Sequence, residues 1–320
     1  MQTLHYFGTP GKLAQTVNEI AKRHSFEMVF RTSTRQVPLD LGEGKHFFEG
    51  QTWLVFNNVH EAIASGPAAG SKDIALSISS PWVFDEKTIG LWEDRFLNVH
   101  YSLLPKYRGG GGQTWQTLAG ERWRGVTLHK LIPAIDAGPI VARKKLWFSD
   151  SAAPEELASK LEKLAQSLLI KKLPSVMKRR YRPIEQKEGK HSYWPRLNSK
   201  LQGFIDWSWA AVEIVVFCDA LRASGTYALT ELQNNVVEIE SAVLGKKRYF
   251  HPFTWGLVFY QSKSRLYVAS KGGEVIVTLR SPTNDPPHNL EGERLFTSSF
   301  HLDNARSSRP RLKPSGEWVT

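Results

Sequence analysis

The sequence predicts an α/β protein in which a mostly parallel sheet with covering helices is followed by a small β-barrel. Three observations carry this reading. Short apolar or β-branched runs at Leu4 to Phe7, Phe26 to Phe30, Trp53 to Phe56, Ile74 to Ile78 and Phe96 to His100 alternate with helical patterns, the rhythm of parallel strands joined by crossover helices. A second set of runs, Val236 to Ile239, Leu257 to Tyr260, Leu266 to Ala269 and Val275 to Leu279, has the close spacing of a small barrel. At 320 residues the chain also exceeds the size at which one hydrophobic core usually stops growing, so two folded units are expected.

The first run ends at Gly8-Thr9-Pro10, where Thr9 can cap a helix and Pro10 can take its first position, with Leu13, Val17 and Ile20 on one face. Only Gly8 and Gly11 of the G-x-G-x-x-G pattern are present, so this is a tight turn rather than a dinucleotide site. Residues 125–131 alternate apolar and polar, and Ile140 to Phe148 supplies one more strand. Pro154 then opens a long helix whose Leu157, Leu161, Leu164 and Leu168 form a stripe for packing on the sheet. The basic, proline-punctuated stretch from Lys171 to Lys190 reads as a solvated helix end leading out of a first unit, residues 1–190. A hinge is expected at 191–207 and the barrel at 208–282, with Ser208 capping a helix that buries Ala211, Ile214, Cys218 and Leu221. Residues 283–320, rich in Pro, Ser, Asn and Arg, read as a poorly anchored tail.

Lys and Arg exceed Asp and Glu by 11, a surplus that draws phosphates, nucleic acids or anionic surfaces. A single cysteine rules out an intrachain disulfide, and none of the ten histidines falls at a zinc-type spacing with it, so no metal is expected. With neither a signal-peptide pattern nor an apolar run near membrane length, the expectation is a soluble, cytoplasmic protein.

Chemistry concentrates in Phe96-Leu-Asn98-Val-His100-Tyr-Ser-Leu-Leu-Pro105-Lys-Tyr-Arg108 and the four glycines that follow. Asn98 and His100, two apart at a strand end, point to the same face. In an open parallel sheet that end borders the ligand crevice. An Asn amide donates a hydrogen bond without titrating, whereas a His titrates near neutral pH and works best beside a carboxylate. Asp136, in a glycine-proline turn, is the candidate carboxylate.

Asn98-x-His100, then Ser102-Leu-Leu-Pro105-x-x-Arg108-Gly109, Gly125-Val-Thr127 and Asp136-x-Gly138, with 36 positions from His to Asp, resembles the formyltransferases that use N10-formyltetrahydrofolate. Phe7-Gly-Thr-Pro10, the helix from Pro154, Ser192-Tyr193 and Ile205-Asp-Trp207 extend the resemblance to about residues 1–280. It implies a Rossmann-like catalytic domain and an OB-like barrel, and a reaction without metal in which an amine attacks the formyl carbon. Asn98 and His100 would hold the oxyanion, His100 would handle the proton and Asp136 would orient it. The folate would lie against Ser80, Pro81, Trp82 and Val83, against Leu103, Leu104 and Pro105, and along the backbone from Ile135 to Gly138. Ala137 stands where the family usually has Thr, which leaves the carboxylate untouched.

The acceptor divides the family. Methionyl-tRNA suits the positive charge, but the segment from Arg31 to Pro38 carries only two arginines and runs on into Asp40 and Glu43, where the tRNA enzymes have a long basic loop. Gly109 to Gly112 stand where the tRNA and lipid A enzymes of the family usually show Ala-Ala-Pro or Arg-Ala-Pro, leaving room beside His100. Tyr101, Tyr107, Trp115 and Trp123, with Arg108 and Arg122, are candidates to stack a sugar or base and bind a diphosphate, Gly109 and Gly110 lying beside them. The expected acceptor is therefore the amine of a nucleotide-linked sugar destined for a surface polysaccharide. Methionyl-tRNA is the alternative, and a non-catalytic RNA-binding relative the reading from another class.

Overall fold

Strand β1 (Gln2–Gly8), helix α1 (Lys12–Arg23) and strand β2 (Phe26–Ser33) open the chain, followed by β3 (Gly44–Phe48), β4 (Gln51–Phe56) and helix α2 (Val59–Ala64). Next come β5 (Ile74–Ile78), α3 (Glu86–Gly90), β6 (Phe96–His100), α4 (Gly112–Leu118), β7 (Trp123–Lys130), β8 (Ile140–Trp147) and α5 (Pro154–Met177). The computed structural model describes residues 2–38, 42–48, 50–64, 66–67, 71–149, 154–280, 289–309, 311–312 and 318–319. Asp40 lies outside them.

The eight strands form one sheet in the order β3-β4-β2-β1-β5-β6-β7-β8. The five central strands, β4 to β6 in that order, run parallel, while β3, β7 and β8 join antiparallel at the two edges. Strand β5, Ile-Ala-Leu-Ser-Ile, is buried along its whole length, as a strand covered on both faces must be. On one face Leu4, Tyr6 and Leu76 pack under α1 and under Leu157, Leu161 and Leu168 of α5. On the other, Phe7, Trp92 and Phe96 pack with Val59 and Ala62 of α2. The chain leaves β1 on one side for β2 and returns on the other as β5, so the crevice opens at the carboxyl ends of β1, β5 and β6. Gly8 closes that end of β1 tightly, since a Cβ there would lie 1.9 Å from the Ile78 carbonyl oxygen.

Some local expectations are corrected. Helix α1 starts at Lys12 after Gly11, because the Thr9 hydroxyl is engaged by Gln36 Nε2 at 2.7 Å rather than capping the helix. Helix α5 stays packed through Leu173, Val176 and Met177, so the basic stretch from Lys171 begins inside a buried helix rather than on a solvated end.

The remaining helices and strands are α6 (Ser199–Gln202), α7 (Ala211–Arg222), β9 (Ala228–Leu232), β10 (Asn235–Leu244), β11 (Val258–Ser262), β12 (Arg265–Ser270), β13 (Gly273–Leu279), α8 (Ser299–Ser307) and the short antiparallel pair β14 (Arg311–Leu312) and β15 (Trp318–Val319). Where the sequence predicts a small barrel, strands β9 to β13 form an antiparallel sheet in the order β11-β12-β13-β10-β9. Residues 292–296 bond to both of its sides, through Gly292 N to Val258 O at 2.8 Å and Phe296 N to Glu231 O at 3.0 Å. Ser208 does not cap α7. Its hydroxyl donates to Asp206 at 2.6 Å, and the helix start is held instead by Glu213, which accepts the Ala210 N–H at 2.7 Å. Cys218 is buried as expected, and burial pushes its thiol up to about 12, leaving it neutral and unreactive. The expected loose tail is anchored over residues 289–309: Leu290 and Leu295 complete the core of this sheet, and Arg306 on α8 pairs with Asp206 at 2.8 Å. Composition hides this, because two leucines suffice to bury a polar segment. Residues 283–288, 310, 313–317 and 320 of that stretch lie outside the described residues.

Two arrangements carry testable consequences. Arg31, buried in β2, directs Nη1 at His5 Nδ1 (2.8 Å), and His5 Nε2 faces Asp73 Oδ2 at 3.4 Å. Burial, helped by the Arg31 charge and opposed by Asp73, lowers the His5 pKa to about 4. The unfolded chain therefore binds a proton that the folded chain refuses between about pH 4 and the unfolded value of 6.5. Stability should fall as pH drops through that window, by up to about 3 kcal/mol, and His5→Gln should flatten this part of a urea-unfolding series against pH. Secondly, the loop from Gly109 lies directly on Tyr193 to Arg196, joined by Arg108 N to Ser192 O and Trp194 N to Arg108 O, both 2.8 Å. Gly109 has φ +102°, and a Cβ on it would lie 2.2 Å from the Trp194 carbonyl oxygen. Gly109→Ala should cost at least about 2 kcal/mol in thermal unfolding, from left-handed strain plus a backbone clash.

Candidate active site

Strands β6 and β7 place the site side chains by register. Asn98 lies opposite His129 and His100 opposite Thr127, so all four share one face of an antiparallel pair. The chain then turns back through Asp136, whose φ of +49° is held by Gln186: its amide N–H groups donate to the carbonyls of Asp136 and Gly138, both at 2.8 Å. That turn delivers the Asp136 carboxylate between two imidazoles. Oδ2 lies 3.5 Å from His100 Nδ1 and accepts the Gly109 N–H at 2.8 Å, while Oδ1 lies 3.4 Å from His129 Nε2. Burial opposes its ionisation, but His100, His129 and the Gly109 N–H outweigh that and hold the carboxyl well below the usual carboxylate range.

The outer nitrogen of each imidazole meets a backbone carbonyl, His100 Nε2 on Tyr107 O at 2.7 Å and His129 Nδ1 on Lys130 O at 2.8 Å. A carbonyl only accepts, so both outer nitrogens carry hydrogen. A further proton on an inner nitrogen makes an imidazolium paired with Asp136. Asn98 Nδ2 stands 3.2 Å from His129 Nε2. While Nε2 is unprotonated it accepts one Asn98 N–H and leaves the second N–H of that amide for a ligand. His129, fully buried, was not singled out from the sequence; the alternation of residues 125–131 shows its strand, but only the register with β6 shows its partners.

Asn98, His100 and Asp136 line a cleft of about 1020 Å³. Of the predicted residues, Ser80, Pro81, Trp82, Val83, Ile135, Tyr101, Gly109 and Gly110 border it. Val83, Ile132 and Ile135 present exposed apolar side chains there, and Trp82 is a wall braced edge-on against Phe7. Others are used elsewhere. Leu104 is fully buried, with its carbonyl accepting from Arg143 at 2.6 Å, and Leu103 packs over Gly125. Neither they nor Pro105 border the cleft, and Gly138 is pressed against the Lys130 carbonyl. Arg108 is buried, with Nε and Nη2 both on Gln186 Oε1 at 3.1 and 2.9 Å, so it ties the loop to the Asp136 turn instead of facing a diphosphate. Trp115 donates to Pro195 O at 2.7 Å and packs on Trp194, and Tyr107 also stacks on Trp194. Trp123 lies under the Lys145 ammonium. The room expected beside the glycines is filled by Tyr193 to Arg196, while the open space lies beyond them.

Residues 81–173 match the formyl transferase family. Methionyl-tRNA formyltransferase of Streptococcus equi subsp. equi is 29% identical over 192 residues, 59% of either chain, so the chain spans about three fifths of that curated relative. Among solved structures, WlaRD, a sugar 3N-formyl transferase crystallised with dTDP and 5-N-formyl-THF, superposes with a TM-score of 0.61 at 17% identity, covering 88% of this chain and 99% of its own. The N-formyltransferase of Helicobacter canadensis, in complex with folinic acid and dTDP-3-aminofucose, gives 0.63 at 16% identity over 88% and 100%. The matched segment holds Asn98, His100, His129 and Asp136, and over that segment the chain resembles the formyl transferase family.

Proposed function

We propose that this protein transfers a formyl group from N10-formyltetrahydrofolate to a primary amine on a nucleotide-linked sugar, a step suited to building a surface polysaccharide. The observation that carries the reading is the Asn98, His100 and Asp136 cluster on the wall of a cleft with room for two ligands. The apolar side chains of Val83, Ile132 and Ile135, with Ser79 and Ser80 beside them, suit a flat heteroaromatic ring edged with polar groups. When bound, the folate supplies the formyl carbon as an electrophile. Asn98, whose amide Nδ2 lies 3.2 Å from His129 Nε2, aims an N–H at the negative charge that develops on the formyl oxygen. His100 takes the proton given up by the attacking amine, because the ionised Asp136 stabilises the imidazolium so formed, and returns it to N10 as the formyl C–N10 bond breaks and tetrahydrofolate leaves. Asp136 stays charged throughout, which makes it the orienting partner rather than the terminal base.

The sugar acceptor draws on the folds of WlaRD and the Helicobacter canadensis enzyme, whose ligands are dTDP compounds. Methionyl-tRNA remains a second reading, favoured by the Streptococcus equi relative and by one surface feature. Residues 245–254 hold Lys246, Lys247 and Arg248 beside Tyr249 and Phe253, which are 81% and 80% exposed, a mixture of charge and rings suited to single-stranded nucleic acid.

Given N10-formyltetrahydrofolate, the purified protein should formylate a 3-amino or 4-amino dideoxysugar linked to dTDP, UDP or GDP. Formylation of charged initiator tRNA, with no turnover on the sugar panel, would replace this acceptor with the second reading. His100→Ala should lower turnover by about 10² to 10⁴, and near-normal rates in that variant would remove His100 from the chemistry.

A further inference from the structure

The cleft does not end at the catalytic cluster. Beyond the glycine loop it is bordered by Tyr193, Arg196, Gln202, Ser224 and Arg309, which come from the segment after residue 190 and from the end of α8. Asp136 is the only carboxylate among the described residues bordering the whole cleft, and its charge is already met by two imidazoles and a backbone N–H. The outer half is therefore cationic.

Nearby arginines are spoken for: Arg108 by Gln186 and Glu188, Arg222 by Glu155 and Asp219, Arg306 by Asp206. Among the described residues neither Arg196 nor Arg309 has a carboxylate within salt-bridge distance. Arg196 is held in place by the catalytic loop. Its Nε donates to Gly110 O at 3.3 Å, and its Cβ lies only 3.0 Å from where a Gly110 Cβ would be. Gly109 next door binds Asp136, so the guanidinium and the carboxylate are separated by one dipeptide and two hydrogen bonds. Arg309 follows Ser308, whose carbonyl accepts from Gln202 on α6 at 3.4 Å. Both Arg196 and Arg309 are exposed, so their guanidinium groups are accessible to a ligand in the cleft.

We infer that Arg196 and Arg309 bind the phosphate groups of the acceptor, so that the segment after residue 190 completes the acceptor half of the site. The inference rests on the proposed formyl transfer and specifies its substrate as a phosphorylated amine. A guanidinium fork matches phosphate oxygens two at a time, and Tyr193, more than half exposed beside it, offers a ring face to a base or sugar.

Calorimetric titration of inorganic pyrophosphate and of folinic acid into wild type, Arg196→Gln, Arg309→Gln and Arg196→Lys, each checked by thermal unfolding, tests this. Pyrophosphate should bind wild type, weaken at least about tenfold in either Gln variant, as loss of a hydrogen bond to a charged group does, and recover in part with Arg196→Lys. Folinic acid affinity should be the same in all four. Absent pyrophosphate binding, or equal binding in the Gln variants, overturns the inference while bound folinic acid leaves the formyl-transfer reading standing. Parallel loss of folinic acid in the Gln variants also overturns it, because the arginines would then hold the folate's glutamate carboxylates. Failure of wild type to bind folinic acid sinks the underlying reading itself.

Discussion

One buried, ionised carboxylate organises this protein's cleft. A carboxylate withdrawn from water is costly unless it is paired and hydrogen-bonded, and Asp136 meets that demand by drawing together groups from separate elements: His100 from β6, His129 from β7 and the Gly109 N–H from the loop after β6. The same turn is held from behind by Gln186, which also receives Arg108. The Asp136 charge, the Gln186 amide and the Arg108 guanidinium thus form one continuous network, and the segment carrying Ser192 to Arg196 is bound to it through backbone hydrogen bonds.

From that constraint the rest follows in order. The parallel centre of the sheet opens its crevice where the chain reverses about β1, and the antiparallel β7 turns back beside β6 so that a histidine falls opposite Asn98. The glycine loop must be glycine because another stretch of backbone lies against it. Its role is close approach, and the freedom to admit a bulky group lies further out, where Arg196 and Arg309 border the same cleft.

Much of the sheet was legible because central parallel strands are apolar along their length: the runs at Leu4, Phe26, Trp53, Ile74 and Phe96 all became strands of it. Strand β3, Gly-Lys-His-Phe-Phe, and strand β9, Ala-Leu-Thr-Glu-Leu, went unseen because each is a short outer strand of its sheet with little β-branched character. In the cluster, Asn98 and His100 were readable from their period of two and Asp136 from its turn. His129 was not, since cross-strand register is a tertiary fact. Arg108 misled for the same reason: a basic residue after a glycine-bearing motif looks like a phosphate ligand until Gln186, 78 residues away, is found on its guanidinium. The tail misled because polar composition says nothing of where Leu290 and Leu295 insert.

The most direct test is the ionisation and tautomeric state of the cluster itself, read by ¹³C and ¹⁵N NMR of Asp136, His100 and His129 through an acid titration of the folded protein. The Asp136 carboxyl should remain ionised well below the ordinary carboxylate range, with hydrogen on His100 Nε2 and on His129 Nδ1. An Asp136 that titrates near its ordinary value of 3.8, or a His100 lacking hydrogen on Nε2, would contradict a site built around that charge.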